Sequence, residues 1–281
     1  MKFTGKTLIQ VILLIIQFTA AKGQVSLHGI VSDSTSNKNL PFVNIGIRHK
    51  NIGTVSQRDG SFNLTIPSEN NADTLTFSMV GYQDHKSAIR DLPDNVNVKL
   101  KPKTEQLAEI VIKSPLLIEK KLGESNYRAL IQFTDGSTNQ KDIFEIAQLI
   151  HLDTALSKVT SVNLYISTSR ADSGTFRINF YGYDGRHPTT RIYDKNITQT
   201  HAIKKGWLTF DLKQYSIYLK GDIVAAIEFI PNSPVNKPIN YNIKVVGATK
   251  SFYRASSQGD WRLPPHHYVL YVTALAEKTS K

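Results

Sequence analysis

Cysteine is absent from all 281 residues. This excludes a disulfide framework and a lipid-bearing cysteine behind a leader, so the chain folds by burial alone. It also removes the cysteine nucleophiles and thiolate metal ligands. No G-x-S-x-G nucleophile elbow, no H-E-x-x-H zinc helix and no phosphate-binding glycine loop occurs, which leaves the common hydrolase, metalloprotease and nucleotide-binding signatures unrepresented. Long apolar runs are scarce as well. The longest near the start, Leu8 to Phe18, holds 11 residues interrupted by Gln10 and Gln17, against the roughly 20 needed to span a bilayer.

That short run follows Lys2 and Lys6 and precedes the small residues Ala20, Ala21 and Gly23. Basic, apolar and small regions in that order are the layout of a cleavable signal peptide. A short membrane anchor is the competing reading. Cleavage is expected near Gly23, with residues 1–23 removed and no transmembrane span remaining. Loss of Lys2, Lys6 and Lys22 lowers the formal net charge from +11 to +8. The remaining basic residues are scattered, with only pairs such as Lys120-Lys121 and Lys204-Lys205, so a solvated positive surface is expected and nucleic-acid binding is not. Export without disulfides favours a bacterial envelope, either the periplasm or an outer-membrane-associated site.

Between Val25 and Leu100 apolar residues recur at every second position, the period of half-buried strands. Val25, Leu27 and Val31 form one run; Val43, Ile45 and Ile47 the next; Phe62, Leu64 and Ile66 follow the Asp59-Gly60 turn. Leu75, Phe77 and Met79, then Val96, Val98 and Leu100, complete the block. Short strands at this spacing, punctuated by turn residues, predict a sandwich or barrel.

The order Gly29-Ile-Val-Ser-Asp33, Leu40-Pro-Phe-Val-Asn-Ile45, Thr54, Asp59-Gly-Ser-Phe62, Leu64, Ile66-Pro67 and Phe77-Ser-Met-Val-Gly-Tyr82 resembles the carboxypeptidase regulatory-like domain, in the version common in envelope proteins of Bacteroidetes. The resemblance implies a seven-stranded transthyretin/Ig-like sandwich with no active site of its own. Leu107-Ala-Glu-Ile-Val-Ile112 looks like the join after this domain in TonB-dependent receptors. The roughly 170 residues that follow are too few for a receptor barrel of that type.

Residues 104–140 are weakly patterned and read as a linker or covering segment. Alternation resumes with Val162, Leu164 and Ile166, with Phe176, Ile178 and Phe180, and with Leu208, Phe210 and Leu212. Ile223 to Ile230 is dense enough for a central strand, while Ile143 to Leu149 fits either a helical turn or a strand. The expected architecture is therefore all-β: a signal peptide at 1–23, the first sandwich at 24–103, the covering segment, and a jelly-roll-like second sandwich at 141–281. The second block also resembles the companion of the regulatory-like domain in uncharacterised Bacteroidetes proteins, through Phe176-Arg-Ile-Asn-Phe-Tyr181, Pro188, Gly206-Trp207, Phe210-Asp-Leu212, Tyr215, Gly221-Asp222, Ala226-Ile-Glu228 and Trp261. That resemblance implies a fold and no function.

Candidate chemistry is sparse. His266-His267 are adjacent, so on a strand they face opposite ways. A surface loop bounded by Pro264-Pro265 is the favoured account of them over a metal role. Glu228 inside an apolar run, with Asp211 beside Trp207 and Phe210 in sequence, is a catalytic acid, a carboxylate paired with an arginine such as Arg177, or a group facing solvent on an edge. Exposed aromatic residues at strand ends and in loops, Tyr181, Tyr183, Trp207, Tyr253 and Trp261, are the candidate ligand contacts, since flat rings stack on sugars, with core packing as the competing account of most of them. No catalytic residue, metal ligand or cofactor is assigned. The expected role is a non-catalytic structural or interaction module of the envelope, its partner an envelope protein or glycan, with carbohydrate binding through Tyr181, Tyr183, Trp207 and Trp261 as the alternative.

Overall fold

A computed structural model describes residues 23–103, 117–128, 132–133, 142–169, 171–231, 239–244 and 250–277. The expected signal peptide, apart from Gly23, and the Leu107–Ile112 join lie outside the described residues.

The first block is a sandwich of seven strands in two sheets. One sheet is ordered β4 (Ser61–Pro67), β1 (Gln24–Asp33), β7 (Asn95–Leu100); the other is β3 (Gly53–Val55), β2 (Asn44–Ile47), β5 (Thr74–Ser78), β6 (His85–Ala88). Strand β1 runs antiparallel to β4 and parallel to β7. Alternation along β4 and β7 sends Phe62, Leu64, Ile66, Val96, Val98 and Leu100 inward to meet Ile45, Leu75 and Phe77. Phe62 meets Phe77 edge-on at 5.7 Å, a geometry that adds about 0.5–1.5 kcal/mol to the area each ring buries. Gly60 takes φ +81° in the turn before β4, which residues with a Cβ rarely adopt. Tyr82 closes one end, its hydroxyl donating to Asp33 Oδ2 at 2.8 Å.

The second block is a larger two-sheet sandwich. Its six-stranded sheet runs β13 (Pro188–Arg191), β12 (Ser173–Tyr183), β17 (Asp222–Ile230), β10 (Phe144–His151), β19 (Ser251–Arg254), with β14 (Ile197–Ala202) also on β12. The facing sheet runs β20 (His267–Tyr268), β18 (Ile239–Lys244), β11 (Ser157–Ser169), β21 (Leu270–Glu277), β8 (Leu117–Gly123). In that sheet β15 (Gly206–Asp211) and β16 (Ile217–Leu219) join β11, and β9 (Gln132–Phe133) joins β18. The three alternating runs read from the sequence all point into the core between these sheets. Phe176 anchors it, edge-on to Phe210 at 5.3 Å and to Phe229 at 5.4 Å.

Two expectations change. The segment 104–140 is not only a linker: β8 pairs along β21 from Leu117↔Glu277 to Gly123↔Tyr271, and β9 pairs with β18. The alternation of β8 is muted because it is an edge strand, with only Ile118, Lys120 and Leu122 half-buried. The ambiguity at Ile143 to Leu149 resolves as strand β10. Seven of its eight residues are buried, so it has no polar face from which a period of two could be read.

Candidate functional site at the seam between the sandwiches

Strand alternation in the six-stranded sheet places Phe176, Ile178 and Phe180 inward, so Arg177, Asn179 and Tyr181 face away from the core. The same rule turns Glu228 and Glu145 outward. Register then sets four charged residues in a row across four strands: Arg177 opposite Glu228, Glu228 opposite Glu145, and Glu145 opposite Arg254. Arg177, Glu228 and Glu145 are fully buried, and Arg254 is 11% exposed.

Two carboxylates facing each other across adjacent strands repel, and their surroundings offset this. Arg177 Nη1 donates to Glu228 Oε1 at 2.7 Å, and Arg254 Nε donates to Glu145 Oε2 at 2.6 Å. Asn179 Nδ2 spans the pair, 2.8 Å from Glu145 Oε1 and 3.1 Å from Glu228 Oε2. The Tyr181 hydroxyl donates to Glu145 Oε1 at 2.9 Å, and burial holds that phenol well above its ordinary range. Burial pushes the Arg177 guanidinium below its usual value against the attraction of Glu228. At Arg254 burial acts in the same sense but is outweighed, chiefly by Glu145, and the guanidinium is held above its usual value.

The first sandwich forms the lid on this row. Arg177 Nη1 donates to Asn44 Oδ1 at 3.2 Å, Nη2 donates to the Phe42 carbonyl, and Nε donates to Asn196 Oδ1 at 3.0 Å. Phe42 adopts φ +61°, a left-handed conformation that costs an aromatic residue on the order of 1–3 kcal/mol. Beside it Val55, Ile143 and Ile230 form a small apolar cluster spanning both sandwiches. Asp142 is also buried there. Its Oδ2 accepts from Ser256 Oγ at 2.6 Å and from the Ser257 amide at 3.2 Å. Burial raises its carboxyl to about 6 despite those donors. Gly53 is required opposite it, since a Cβ there would lie 2.3 Å from Asp142 Oδ2. Further along, the His49 amide donates to Gln258 O at 2.9 Å and Gln258 Nε2 donates to Ser78 Oγ at 2.8 Å.

Where this seam meets solvent it opens into a cleft of about 620 Å³. Arg48 and His49, in the turn after β2, form one wall. His187 and Thr189, entering β13, form a second. Arg254, Asp260 and Trp261 supply the third. The Arg254 guanidinium lies 4.8 Å from the Trp261 ring centre, and Tyr181 meets Trp261 edge-on at 5.3 Å.

The structure divides the aromatic candidates. Tyr181, Tyr183 and Trp261 share one apolar cluster on the outer face of the six-stranded sheet, and Trp261 reaches the cleft. Tyr181 is not the exposed ring expected: it is 4% exposed, beneath Arg191, Arg254 and Trp261. Tyr183 is half-buried, and its hydroxyl donates to Gly185 O. Trp207 belongs elsewhere, on the outer face of the other sheet, edge-on to Tyr165 at 5.3 Å and Tyr271 at 4.8 Å. Tyr253 packs against the inter-sheet core beside Phe144.

Glu228 is the arginine-paired carboxylate. Asp211 does not approach it, because β15 places Asp211 on the outer face of the opposite sheet. Among the described residues no three His, Asp or Glu side chains are grouped so as to hold a metal. Pairing of Glu228 with Arg177 was one of the alternatives open in the sequence, while Glu145, Arg254 and Asn44 were missed. The signal available was a lone charge inside each apolar run, Glu145 within 143–149 and Glu228 within 223–230.

Residues 27–112 match the model of the CarboxypepD_reg-like domain family, a span that takes in nearly all of the first sandwich. The N-terminal sandwich is a carboxypeptidase regulatory-like domain. This regulatory-like domain is a non-catalytic β-sandwich, and the match ends before β8. No curated protein matches the chain. Among solved structures, the cysteine protease and lectin-like domains of Cwp84, a surface-layer-associated protein of Clostridium difficile, align at 10% identity and TM-score 0.42. That alignment covers 56% of this chain and 36% of the other. A cysteine-to-alanine variant of the same clostridial protease after propeptide cleavage aligns at 10% identity and TM-score 0.42, over 92% and 73% of the two chains. The infectious bursal disease virus Gt strain structure aligns at 11% identity and TM-score 0.28, over 92% and 61%. Likenesses this small carry no functional inference for the regulatory-like domain or its neighbour.

Proposed function

We propose that the chain is a non-catalytic, exported interaction module of the cell envelope, in which the regulatory-like domain and the second sandwich act as one body. Its binding face is the cleft along their seam. The observation that carries this reading is Arg177, fully buried in the second sandwich yet hydrogen-bonded to Phe42 and Asn44 of the first. A charge fixed from both sides resists separation, because parting the sandwiches strips a buried guanidinium of acceptors. A cleft held in that way is preorganised for a ligand or partner.

Export is tested by sequencing the N-terminus of the protein recovered from an envelope fraction. A start at Gln24 or Val25 supports it; a cytosolic protein retaining Met1 contradicts it. The binding face is tested by cross-linking the full chain in envelope extracts. An adduct that maps to Arg48, His187 or Asp260 supports the seam, and adducts confined to other surfaces contradict it.

The second reading, carbohydrate binding, is favoured at one place. Trp261, with Tyr181 and Tyr183 in its cluster, brings an aromatic surface to a cleft whose other walls are polar. Trp207 takes no part in that surface.

A further inference from the structure

We propose that the seam cleft takes an acidic saccharide: a sugar whose ring packs at Trp261 and whose carboxylate or sulfate is drawn by the guanidiniums beneath and beside it. The inference rests on the reading of the seam as a binding face and adds the ligand's chemical class.

The first ground is charge. At and behind the cleft wall that Arg254 forms, Arg177, Arg191 and Arg254 are set in one cluster against, among the described residues, two carboxylates, Glu145 and Glu228. Arg177 and Arg254 each hold a carboxylate at hydrogen-bond distance. Arg191 does not. Its Nη2 stands 3.8 Å from Glu228 Oε2, and its buried Nε has no hydrogen-bond partner among the described residues. A largely buried cation with an unused donor is costly unless an anion comes near it. Arg191 lies over the Tyr181 ring, which meets Trp261 at the cleft.

The second ground is the cleft wall. Arg48, His49 and His187 line it with one carboxylate, Asp260, which is held by His49 at 2.6 Å. Arg48 reaches Asp84 at 2.6 Å, but both side chains are well exposed, so a ligand anion can compete for that guanidinium.

The third ground is shape. Trp261 supplies an aromatic surface, Thr189 and Gln258 supply neutral hydrogen-bonding groups, and about 620 Å³ falls within the roughly 300–1,000 Å³ of small-ligand clefts. Aromatic surface, neutral polar groups and spare positive charge together match a hydroxylated ring bearing an acid better than a simple anion.

The sequence contains two tryptophans, so in the full chain carrying Trp207→Phe the fluorescence reports Trp261 alone. This protein is titrated with galacturonate, glucuronate and mannuronate trimers, a sulfated disaccharide, an uncharged galactose trimer and short polyglutamate. The expected result is saturable change with a uronate or the sulfated sugar at about tenfold or more lower concentration than with the uncharged trimer. Whichever acidic probe responds identifies carboxylate or sulfate as the group. Arg191→Gln and, separately, the exposed Arg48→Gln should each reduce that preference, with circular dichroism verifying the fold. Equal response to charged and uncharged trimers overturns the acidic class while leaving the seam a sugar site. Polyglutamate binding as tightly as the uronates overturns the saccharide. Silence from every probe overturns the proposal, and the seam as a protein-binding face is then judged by the cross-linking map alone.

Discussion

Arg177 Nη1 donates to Glu228 Oε1 at 2.7 Å in its own sandwich and to Asn44 Oδ1 at 3.2 Å in the other. One guanidinium thus completes a buried ion pair and a contact between the sandwiches. The fold and the seam are linked through it.

Removing one half of that pair should cost far more than removing both. Arg177→Ala removes the hydrogen-bonded cation of Glu228 and leaves it only the more distant Arg191, 3.8 Å away, and a loss of about 3–5 kcal/mol is expected. Arg177→Met combined with Glu228→Leu replaces the pair by apolar groups of similar size and should recover most of it. Urea titration of the single and double variants measures both, and equal losses would contradict this account of the row.

Asp142 gives the seam a pH dependence of definite sign. Its carboxyl is raised from 3.8 to about 6 by burial, so the folded protein holds a proton that the unfolded chain releases. The stabilisation is complete below about 4 and is lost as pH rises through about 6, by ~3 kcal/mol at most from the shift. Asp142→Asn cannot titrate. The wild-type stability, measured against that of the variant, should fall between pH 4 and pH 7, and a difference that stays flat or rises would contradict the assignment.

Gly53→Ala tests how closely the sandwiches approach. The added methyl would meet Asp142 Oδ2 at 2.3 Å, and overpacking of this kind costs typically about 1–3 kcal/mol. Amide exchange should rise at Val55 and Ile143, which flank that contact, and leave the distant β1–β7 pairing unchanged.

Trp207 and Trp261 should separate stability from binding. Trp207 is edge-on to Tyr165 and Tyr271 on the face remote from the seam, so Trp207→Ala should lower stability, by about 0.5–1.5 kcal/mol for each ring pair lost beyond burial, and leave cleft binding intact. Trp261→Ala should abolish binding of any saccharide. Calorimetric titration with a uronate trimer distinguishes them.

The regulatory-like domain was legible because its strands β1, β4 and β7 each have one wet and one dry face, so Leu27, Phe62, Leu64 and Val98 alternate visibly with exposed neighbours. Strand β10 was not, because its outer face is buried as well, Ala147 and Leu149 packing in one cluster with Tyr181, Phe252 and Trp261, and these apolar residues interrupt the alternation. The charge row needs register, which no local pattern supplies: Glu145 and Arg254 are 109 residues apart. Tyr181 was misjudged as exposed for a related reason. A strand residue facing away from its own core is normally wet, and here Trp261 and two arginines cover it.

Scanning calorimetry of the full chain tests the central claim most directly. If the sandwiches act as one body through Arg177, the wild type melts in a single cooperative transition with matching calorimetric and van't Hoff enthalpies. Arg177→Ala then splits it into two. Two independent transitions in the wild type, or a single unaltered one in Arg177→Ala, would contradict the account.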